Sequence, residues 1–539
     1  MAKKKTAKKK TTRKKKPDAK KSFEQTLWDT ADKLRGTVES SEYKHVVLSL
    51  IFLKFVSDRF EARRQEIIDE GHDDHVDMVE FYTMKNVFYL PEKSRWSTIV
   101  KQAKQDDIAV RIDSALHAVE KNNPSLKGAL PDNYFSRMGI DVAKLAALID
   151  SINNINTVED SQAGAAGEED IVGRVYEYFL GKFAATEGKG GGEFYTPKCV
   201  VNLIAEMIEP YSGKIYDPCC GSGGMFVQSV KFITSHSGNQ KDISIYGQEQ
   251  TSTTYKLAKM NLAIRGISGN LGEVPADTFF KDQHPDLKAD YIMANPPFNL
   301  KAWRGTDELT DDARWSGYEV PPTGNANYGW ILHMISKLSE NGVAGFVLAN
   351  GSMSTSTKGE GDIRQKIIEK DLVDCMIALP SQLFYTTGIA VCLWFLTKNK
   401  KSRKVKGRSE LNQRNRIGET LFIDARNHGS MIDRTHKELT EDDIGEIAGT
   451  YHKWRGESKN GEYEDKPGFC KSSKIEDIGA HDYVLTPGRY VGTAPLEDDG
   501  IPFETKMTNL TTTLYQQMDD AKKLDKSIQK NLGALGYGK

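Results

Sequence analysis

The chain has 539 residues, enough for three or four domains with substantial cores, and 28% of its residues are charged. Its 74 lysines and arginines almost balance its 75 acids, but residues 1–21 hold twelve of the basic residues and one acid, so an arm of net charge +11 precedes a body of −12. No apolar stretch approaches the roughly 20 residues of a membrane span and no secretion signal follows the basic arm, so we expect no membrane segment and a cytoplasmic location.

The first 160 residues are predicted to contain a basic arm and a helical domain. Residues 1–22 are expected to be disordered, and they either hold DNA phosphates without sequence preference or only keep the chain soluble. Apolar residues then recur at helical spacing, for example at Val46, Leu50 and Leu53, so residues 23–160 are predicted to be helical. The small residues at 161–167 are typical of a linker, and a second domain is expected to begin there.

A glycine-rich turn after a short predicted strand is the first pattern that indicates a ligand. The strand ends at Asp217, and the turn from Gly221 to Gly224 leads into an apolar helix start. Glycines let a ligand approach the backbone at the carboxyl end of a parallel strand, where doubly wound sheets bind nucleotides. Phe226 stands in place of the third glycine of the dinucleotide fingerprint, and a phosphate-loop Lys-Ser/Thr pair is absent, so neither of those sites is indicated.

Two further acids follow predicted elements in a regular order. The next predicted strand, residues 243–247, is followed by Glu249, which is placed to accept both hydroxyls of a ribose. Its separation of 32 residues from Asp217 exceeds the roughly 20 of a nicotinamide-binding fold. After a predicted helix at residues 254–265, Asp277 is placed to accept a hydrogen bond from an adenine amine. In this order the acids indicate an S-adenosylmethionine pocket.

The segment Asn295, Pro296, Pro297 and Phe298 closes a predicted strand at residues 291–294. The side-chain carbonyl of Asn295 and the main-chain carbonyl of Pro296 can both accept hydrogen bonds from one NH2 group, and the prolines stiffen the loop. Phe298 supplies a flat face for stacking. A base with an exocyclic amine fits this arrangement, and so does a glutamine amide. By itself the tetrapeptide is also an ordinary turn signal.

With these motifs the chain resembles the amino-methylating DNA methyltransferases, and within them the modification subunits of type I restriction-modification systems. The resemblance runs from about residue 23 to the C-terminus. It includes a segment before the glycine turn, Glu193-Phe194-Tyr195-Thr196-Pro197-Lys198, and the order of the three motifs is that of the gamma arrangement. The resemblance implies an α/β fold, with a Rossmann-like S-adenosylmethionine-dependent methyltransferase domain at residues 161–410 between an N-terminal helical domain and a C-terminal helical tail.

The resemblance also implies roles for individual residues. The segment from Glu193 to Lys198 is expected to close over the methionine end of the cofactor, Ser222 to Gly224 to lie behind it, and Glu249 to hold its ribose. The catalytic residues are expected to be Asn295, Pro296, Pro297 and Phe298. The expected cofactor-binding residues are Glu193, Phe194, Tyr195, Thr196, Pro197, Lys198, Asp217, Gly221, Ser222, Gly223, Gly224, Glu249 and Asp277.

The implied activity is methyl transfer from S-adenosylmethionine to adenine N6 in duplex DNA of a prokaryote, at a site chosen by a separate specificity subunit. Further expected partners are a second copy of the chain and the restriction subunit, because type I modification subunits typically act as two copies with one specificity subunit. Rival interpretations are a protein-glutamine or ribosomal-RNA methyltransferase, a cytosine-N4 enzyme and a non-catalytic, cofactor-binding scaffold.

The cysteines give no support for other chemistry. Pro218-Cys219 invites comparison with carbon-methylating cytosine enzymes, but it stands immediately before the glycine turn, where the cofactor sulfonium is expected, which argues against a covalent role. The six cysteines show no metal-ligand spacing with histidine, so neither a zinc site nor a disulfide framework is expected.

Downstream segments complete the predicted domain plan. The loop between Pro297 and Tyr328 is either a lid or substrate-binding loop or an ordinary insertion. Strands are predicted at residues 343–347, 373–378 and 391–395, within a mostly parallel sheet. The basic segment at 398–408 is either a phosphate contact or a solvated hairpin tip. Residues 411–500 are assigned to an α/β extension.

The last 39 residues, 501–539, are predicted to form a coiled-coil-like helix. Its apolar residues alternate in steps of four and three, interrupted only at Gln517, which gives a narrow apolar seam. The seam is formed by Phe503, Met507, Leu510, Leu514, Ala521, Leu524 and Ile528. Such a seam pairs with a partner helix or folds back on its own chain, and the family resemblance favours the helices of a specificity subunit.

Overall fold

The computed structural model describes most of the chain beyond residue 39. The described residues are 28–29, 32, 40–154, 178–179, 196–236, 238–357, 359–384, 389–405, 408–457, 461–493 and 502–537. The chain divides into two compact units, Met1–Val491 and Gly492–Lys539. The predicted basic arm, the predicted linker at 161–167 and the residues Glu193, Phe194 and Tyr195 lie outside the described residues.

The described residues up to 154 are helical, as the spacing of the apolar residues predicted. Their helices are α1 (Ser40–Asp69), α2 (Val79–Thr83), α3 (Trp96–Gln102), α4 (Ile108–Asn122), α5 (Tyr134–Arg137) and α6 (Val142–Asn153). Val46, Leu50 and Leu53 of α1 are fully buried in the core between these helices. Leu257 and Met260, more than a hundred residues further along the chain, join the same core, so the helical region packs against the domain that follows.

A nine-stranded sheet forms the centre of the first unit, in the order β13-β10-β6-β7-β5-β4-β1-β2-β3. Its strands are β1 (Gly213–Asp217), β2 (Ile243–Gly247), β3 (Gly269–Asn270), β4 (Ala289–Ala294), β5 (Leu338–Ala349), β6 (Val373–Ala378), β7 (Val391–Thr397), β10 (Glu419–Asp424) and β13 (Cys470–Lys474). Strand β7 is antiparallel to β5 and β6, β13 is antiparallel to β10, and the other pairs are parallel. The sheet is therefore mostly parallel, as predicted.

Helices cover both faces of this sheet. Because successive side chains of a strand point to opposite faces, Ile215 joins one apolar core and Tyr216 joins the other. One face packs against α7 (Lys198–Ile208), α8 (Gly224–Ser235), α9 (Ser252–Ile264) and α12 (Glu441–Arg455). The other packs against α10 (Asn327–Lys337), α11 (Glu360–Glu369) and α13 (Ile475–Gly479). This is the predicted doubly wound α/β arrangement, and it brings the ends of β1, β2 and β4 to one edge.

The C-terminal extension continues the sheet. Strands β10 and β13 are hydrogen-bonded to its β6 side, and the proposed boundary between residues 410 and 411 falls within strand β9 (Arg408–Gln413). Two short strands, β11 (Ser430–Met431) and β12 (Lys437–Glu438), pair separately.

The basic segment at residues 398–408 leads into a hairpin of β8 (Arg403–Val405) and β9. Lys400 is 3% exposed and donates to the carboxylate of Asp371 at 2.6 Å. Arg408 pairs with Glu209 at 2.9 Å, and Lys398 donates to the main-chain oxygen of Leu338 at 2.9 Å. Lys398, Lys400 and Arg408 therefore make contacts within the fold, while Lys401 and Lys404 are exposed, and both interpretations of the segment stay open.

Strand β6 and the extension together form a buried cluster of charges. Asp374 is 1% exposed, and its carboxylate accepts from Tyr451 at 2.7 Å and faces the buried Arg416 guanidinium at 3.4 Å. Burial alone would raise the pKa of Asp374, but Arg416, Arg455 and Lys400 outweigh burial and hold the pKa at about 2. Asp374 is therefore an anion in the folded protein.

The second unit consists mainly of one long helix, α14 (Phe503–Ala534), as predicted from its seam. Its described residues are all at least partly exposed, and Leu510 and Leu524 are 59% and 63% exposed. Among the described residues, no helix combines the length and the apolar character that crossing a membrane requires.

Candidate active site

The glycine turn after β1 has an open face. Gly221 and Gly223 adopt positive φ angles of 54° and 81°, where residues with a side chain are strained. Among the described residues, no atom lies within 4 Å of a Cβ atom added at Gly221 or Gly224. The main-chain oxygen of Ser222 is held by the buried side chain of Asn261 at 2.7 Å. Asn261 thus fixes one side of the turn, and the described residues leave space at Gly221 and Gly224.

Glu249 connects this turn to the end of β2. Its Oε2 accepts from the main-chain N–H of Gly221 at 3.1 Å, and its Oε1 accepts from that of Thr251 at 2.7 Å. Asp217 and Gly247 are register partners on the parallel strands β1 and β2, so the two strand ends lie side by side. The structure therefore brings together Asp217, the glycine turn and Glu249, as the sequence predicted.

Asp277 lies in a third turn that joins the same edge. The N–H of Ala276 donates to the main-chain oxygen of Glu249 at 2.9 Å. Buried Gln248 donates to the main-chain oxygen of Ala276 at 3.1 Å, and Thr278 donates to that of Pro218. Asp277 uses its Oδ1 to accept from Phe279 N–H at 2.7 Å. Hydrogen bonds thus connect the turns that carry Asp217, Glu249 and Asp277 into one continuous surface, here called the wall of turns.

The loop after β4 carries a buried acceptor. Asn295 donates from its Nδ2 to the hydroxyl of Thr196 at 2.9 Å, which fixes the orientation of the amide. Its Oδ1 is buried and has no hydrogen-bond partner within the described parts of the chain. A buried carbonyl without a donor is unfavourable unless a ligand supplies one, so Oδ1 is a candidate contact for an N–H group of a substrate.

An aromatic residue, Phe298, follows this acceptor in the same loop. The half-buried ring of Phe298 meets the buried ring of Phe384 edge-on, with centroids 5.9 Å apart and planes at 71°. Pro296 is buried, and Pro297 and Phe298 are partly exposed. The loop therefore combines a fixed amide, a rigid proline pair and a partly open aromatic surface.

Electrostatics at the glycine turn favour neutral thiols. Burial raises the pKa of Asp217 to about 7, and the neighbouring Glu249 carboxylate adds to the shift. Burial also raises the pKa of Cys219 and Cys220 well above the ordinary value, and the Asp217 charge acts in the same direction. Neither thiol forms a thiolate at neutral pH, in agreement with the argument against a covalent role for Cys219.

The long loop at residues 299–326 is packed against the domain. Trp303 and Trp315 are 6% and 3% exposed. The buried guanidinium of Arg304 donates to the main-chain oxygens of Pro321, Gly305, Thr306 and Glu308. The loop is therefore an ordered structure with its own internal hydrogen bonds.

Outside the glycine turn and the loop after β4, three side chains of the kinds that ligate metals lie together. They are Glu209, His452 and Glu457, and their potential ligand atoms lie within 4.8 Å of one another. His452 Nε2 bonds to the main-chain oxygen of Glu206, which can only accept, and Nδ1 bonds to Glu457 at 2.8 Å. Burial alone would lower the pKa of His452, but Glu457 and Glu209 outweigh burial and raise it. This arrangement fits an ion pair rather than a metal ligand.

Comparison with known proteins identifies the family. Residues 167–499 match the family model described as N-6 DNA Methylase, and residues 23–152 match the HsdM N-terminal domain. The chain is 48% identical to the type I restriction enzyme HindI methylase subunit of Haemophilus influenzae, over 83% of this chain and 100% of that protein. The chain belongs to the methylase subunits of type I restriction enzymes.

A further relative and a solved structure support the same family and fold. This methylase subunit is 38% identical to the type I restriction enzyme MjaIX methylase subunit of Methanocaldococcus jannaschii, over 96% of this chain and 92% of that protein. The crystal structure of the type I restriction-modification system methyltransferase subunit from Streptococcus thermophilus has the same fold, with a TM-score of 0.70 at 24% identity, covering 87% of this chain and 99% of that chain. The family resemblance and the fold class predicted from the sequence are confirmed, and the methylase subunit is a DNA methyltransferase.

The structure adds contacts that the sequence did not reveal. Thr196, predicted to bind cofactor, is the residue that orients Asn295, while Pro197 precedes α7 and Lys198 begins it with an exposed side chain. Gln248, Asn261 and Phe384 were missed. Gln248 adjoins Glu249 at a strand end and could have been suspected, whereas the contacts of Asn261 and Phe384 join residues far apart in the chain and leave no local signal.

Proposed function

We propose that the methylase subunit transfers a methyl group from S-adenosylmethionine to adenine N6 in duplex DNA. The observation that carries this proposal is the buried Oδ1 of Asn295, a fixed acceptor without a donor in the described chain, on the loop next to the glycine turn. An exocyclic amine is a donor of the required kind. The match to the N-6 DNA Methylase model supports adenine as the base.

The wall of turns fits the proposed cofactor. Open space above Gly221 and Gly224 accommodates a ligand close to the backbone, and the carboxylates of Glu249 and Asp277 are suited to ribose hydroxyls and an adenine amine. Asp217 and Ser222 would support the remainder of the ligand. When bound, S-adenosylmethionine supplies an electrophilic methyl group on its sulfonium.

The protein would act on the amine by position and by dipoles. The ring delocalises the lone pair of an aryl amine, so acceptance of its two N–H groups by Asn295 Oδ1 and the Pro296 carbonyl would favour a tetrahedral nitrogen with a free lone pair. The acceptors are fixed before the reaction, which is the arrangement that lowers a barrier most effectively. An adenine reaches this loop only after leaving the duplex, and Phe298 would then stack on it.

We also propose the partners implied by the family. The relatives are named as methylase subunits of type I restriction enzymes, which supports assembly with a specificity subunit, a restriction subunit and a second copy of this chain, in the prokaryotic cytoplasm where the DNA lies. The charged residues of α14 lie outside its apolar seam, as in helices that pair through one face.

The reaction can be tested by product identification. The subunit, co-purified with its native partners, is incubated with unmethylated duplex DNA and methyl-labelled S-adenosylmethionine, and the DNA is digested to nucleosides. We expect label in N6-methyladenine. Label in N4-methylcytosine, RNA or protein would show a different acceptor, and the absence of label from all of them would favour a cofactor-binding scaffold.

The seam of α14 can be tested by paired substitutions. Leu510→Asp with Leu514→Asp places two charges on the seam and is expected to abolish co-purification with the specificity subunit, because unpaired charges are unfavourable in a helix interface. Thr512→Asp with Gln516→Asp places the same charges on the opposite side of α14 and should leave co-purification unchanged. Retention of the partner by the seam variant would contradict the proposed interface.

A further inference from the structure

Arg314, in the long loop after Phe298, clamps the turn that carries Asp277. Its guanidinium donates to the main-chain oxygen of Thr278 at 3.1 Å and to that of Phe279 at 2.6 Å. These two residues directly follow Asp277. Charged donors on carbonyl oxygens make strong hydrogen bonds, so Arg314 restricts the position of the turn.

Other groups fix Arg314 itself. The carboxylate of Asp312 accepts from its Nε at 2.7 Å and from its Nη2 at 2.5 Å, and the two side chains are only 11% and 17% exposed. Arg314 also lies over the rings of Phe279 and Trp315, at 5.7 and 5.1 Å from their centroids. The planar guanidinium therefore has little freedom to turn away from the two carbonyls.

The same guanidinium is linked to the end of β1. Arg314 Nη1 lies 3.2 Å from Nδ1 of His333, and Nε2 of His333 lies 3.0 Å from the hydroxyl of Tyr216. Burial, reinforced by the Arg314 charge, lowers the pKa of His333 to about 3, so the ring is neutral and accepts from Arg314 through Nδ1. Tyr216 immediately precedes Asp217. The network thus joins the long loop to two turns of the proposed cofactor site.

We propose that Arg314 is a positioning residue for the adenine end of S-adenosylmethionine, acting through the main chain of Thr278 and Phe279 on Asp277. The inference rests on the proposed function. Because Arg314 belongs to the loop that follows Asn295 and Phe298, it ties the geometry of the cofactor site to the substrate side of the domain. The long loop is then a structural support of the cofactor pocket rather than an ordinary insertion.

Arg304 provides a matched control in the same loop. It is buried, and its hydrogen bonds go to carbonyl oxygens within the loop, those of Pro321, Gly305, Thr306 and Glu308. Its loss therefore weakens the loop without releasing the Asp277 turn. The two arginines separate support of the cofactor turn from general stability of the loop.

The test is calorimetric binding of S-adenosylmethionine to the purified complex. Arg314→Ala is expected to raise Kd about tenfold through loss of charged hydrogen bonds to two carbonyls, and Arg314→Lys and Asp312→Asn to raise it by about threefold. Arg304→Ala should leave Kd within about twofold, although both alanine variants lower the thermal unfolding midpoint. In steady-state assays, Arg314→Ala should raise KM for S-adenosylmethionine with little change in kcat.

The outcomes separate this inference from the function on which it rests. If the wild-type complex binds S-adenosylmethionine and the Arg314 variants bind it equally well, the positioning role is overturned and the proposed function stands. An equal rise in Kd for Arg304→Ala would reduce the effect to loop stability and would also overturn it. If the wild-type complex does not bind S-adenosylmethionine, the proposed function fails and this role fails with it.

Discussion

Replacing Asn295 with alanine is expected to lower the rate of methyl transfer by about a thousandfold or more while leaving the Kd for S-adenosylmethionine within about threefold of the wild-type value. The side chain supplies Oδ1, a buried acceptor without a hydrogen-bond partner among the described residues, and the Pro296 carbonyl alone cannot hold both N–H groups of the amine. The cofactor turns are fixed by other groups, namely Glu249, Gln248 and Asn261. Single-turnover rates with labelled cofactor, together with calorimetric binding, measure the two effects separately.

Thr196→Val gives a graded control for this prediction. Valine has nearly the same shape as threonine but cannot accept the 2.9 Å hydrogen bond from Asn295 Nδ2, so the amide keeps its chemistry and loses its orientation. We expect a smaller decrease in rate, of about tenfold to a hundredfold, again without loss of cofactor binding. Loss of cofactor binding in Asn295→Ala, or full activity in that variant, would contradict the assignment of Asn295 to the amine pocket.

The elements that carry the site could be predicted because their signals are local. The strand predicted at residues 243–247 has those bounds in the structure, as does the one predicted at 373–378. The helix predicted at 254–265 is found at Ser252–Ile264. Short apolar runs that end in turn residues define parallel strands well, and parallel strands necessarily bring Asp217, Glu249 and Asn295 to the same edge of the sheet.

The supporting contacts could not be predicted because they depend on distant parts of the chain. The hydrogen bond between Thr196 and Asn295 joins residues 99 positions apart, and the contact between Phe298 and Phe384 joins two loops that follow different strands. No sequence pattern marks Arg314, because its partners Thr278 and Phe279 lie 36 and 35 positions earlier in the chain. Composition and periodicity carry no information about such pairs.

The pairing that extends the sheet at β6 could not be predicted from the sequence either. Residues 411–500 are assigned from the sequence to an α/β extension, and its strand β10 pairs with β6 in parallel register, with Leu421 opposite Cys375. This pairing places Arg416, just before β10, beside Asp374 of β6 in a fully buried position. A charged residue buried in this way is not expected from an alternating pattern, because its partners come from other segments.

That buried cluster leads to the second large effect. Asp374→Asn keeps the size of the side chain but removes the charge that pairs with buried Arg416 and also attracts Arg455 and Lys400. Removal of one partner from a buried ion pair leaves an uncompensated charge and destabilises a protein by about 3–5 kcal/mol. We expect a clear decrease in the urea midpoint for unfolding of the first unit. Tryptophan fluorescence can follow it, because buried Trp454 lies 5.4 Å from the Arg416 guanidinium.

The pH dependence of stability should change in the same variant. The folded-state pKa of Asp374, about 2, lies below its ordinary value of 3.8, so its contribution is complete above about pH 4 and is lost as the pH falls toward 2. Wild-type protein should therefore lose about 2 kcal/mol of stability through this group across that range, and Asp374→Asn should lack this component. Asp107→Asn is the matched control. Asp107 pairs with Arg111 at 2.7 Å at the N-terminal end of α4, where both side chains are exposed, so the urea midpoint of this variant should stay close to that of the wild type. Equal midpoints for Asp374→Asn and Asp107→Asn would mean that the buried cluster does not stabilise the fold through its charges.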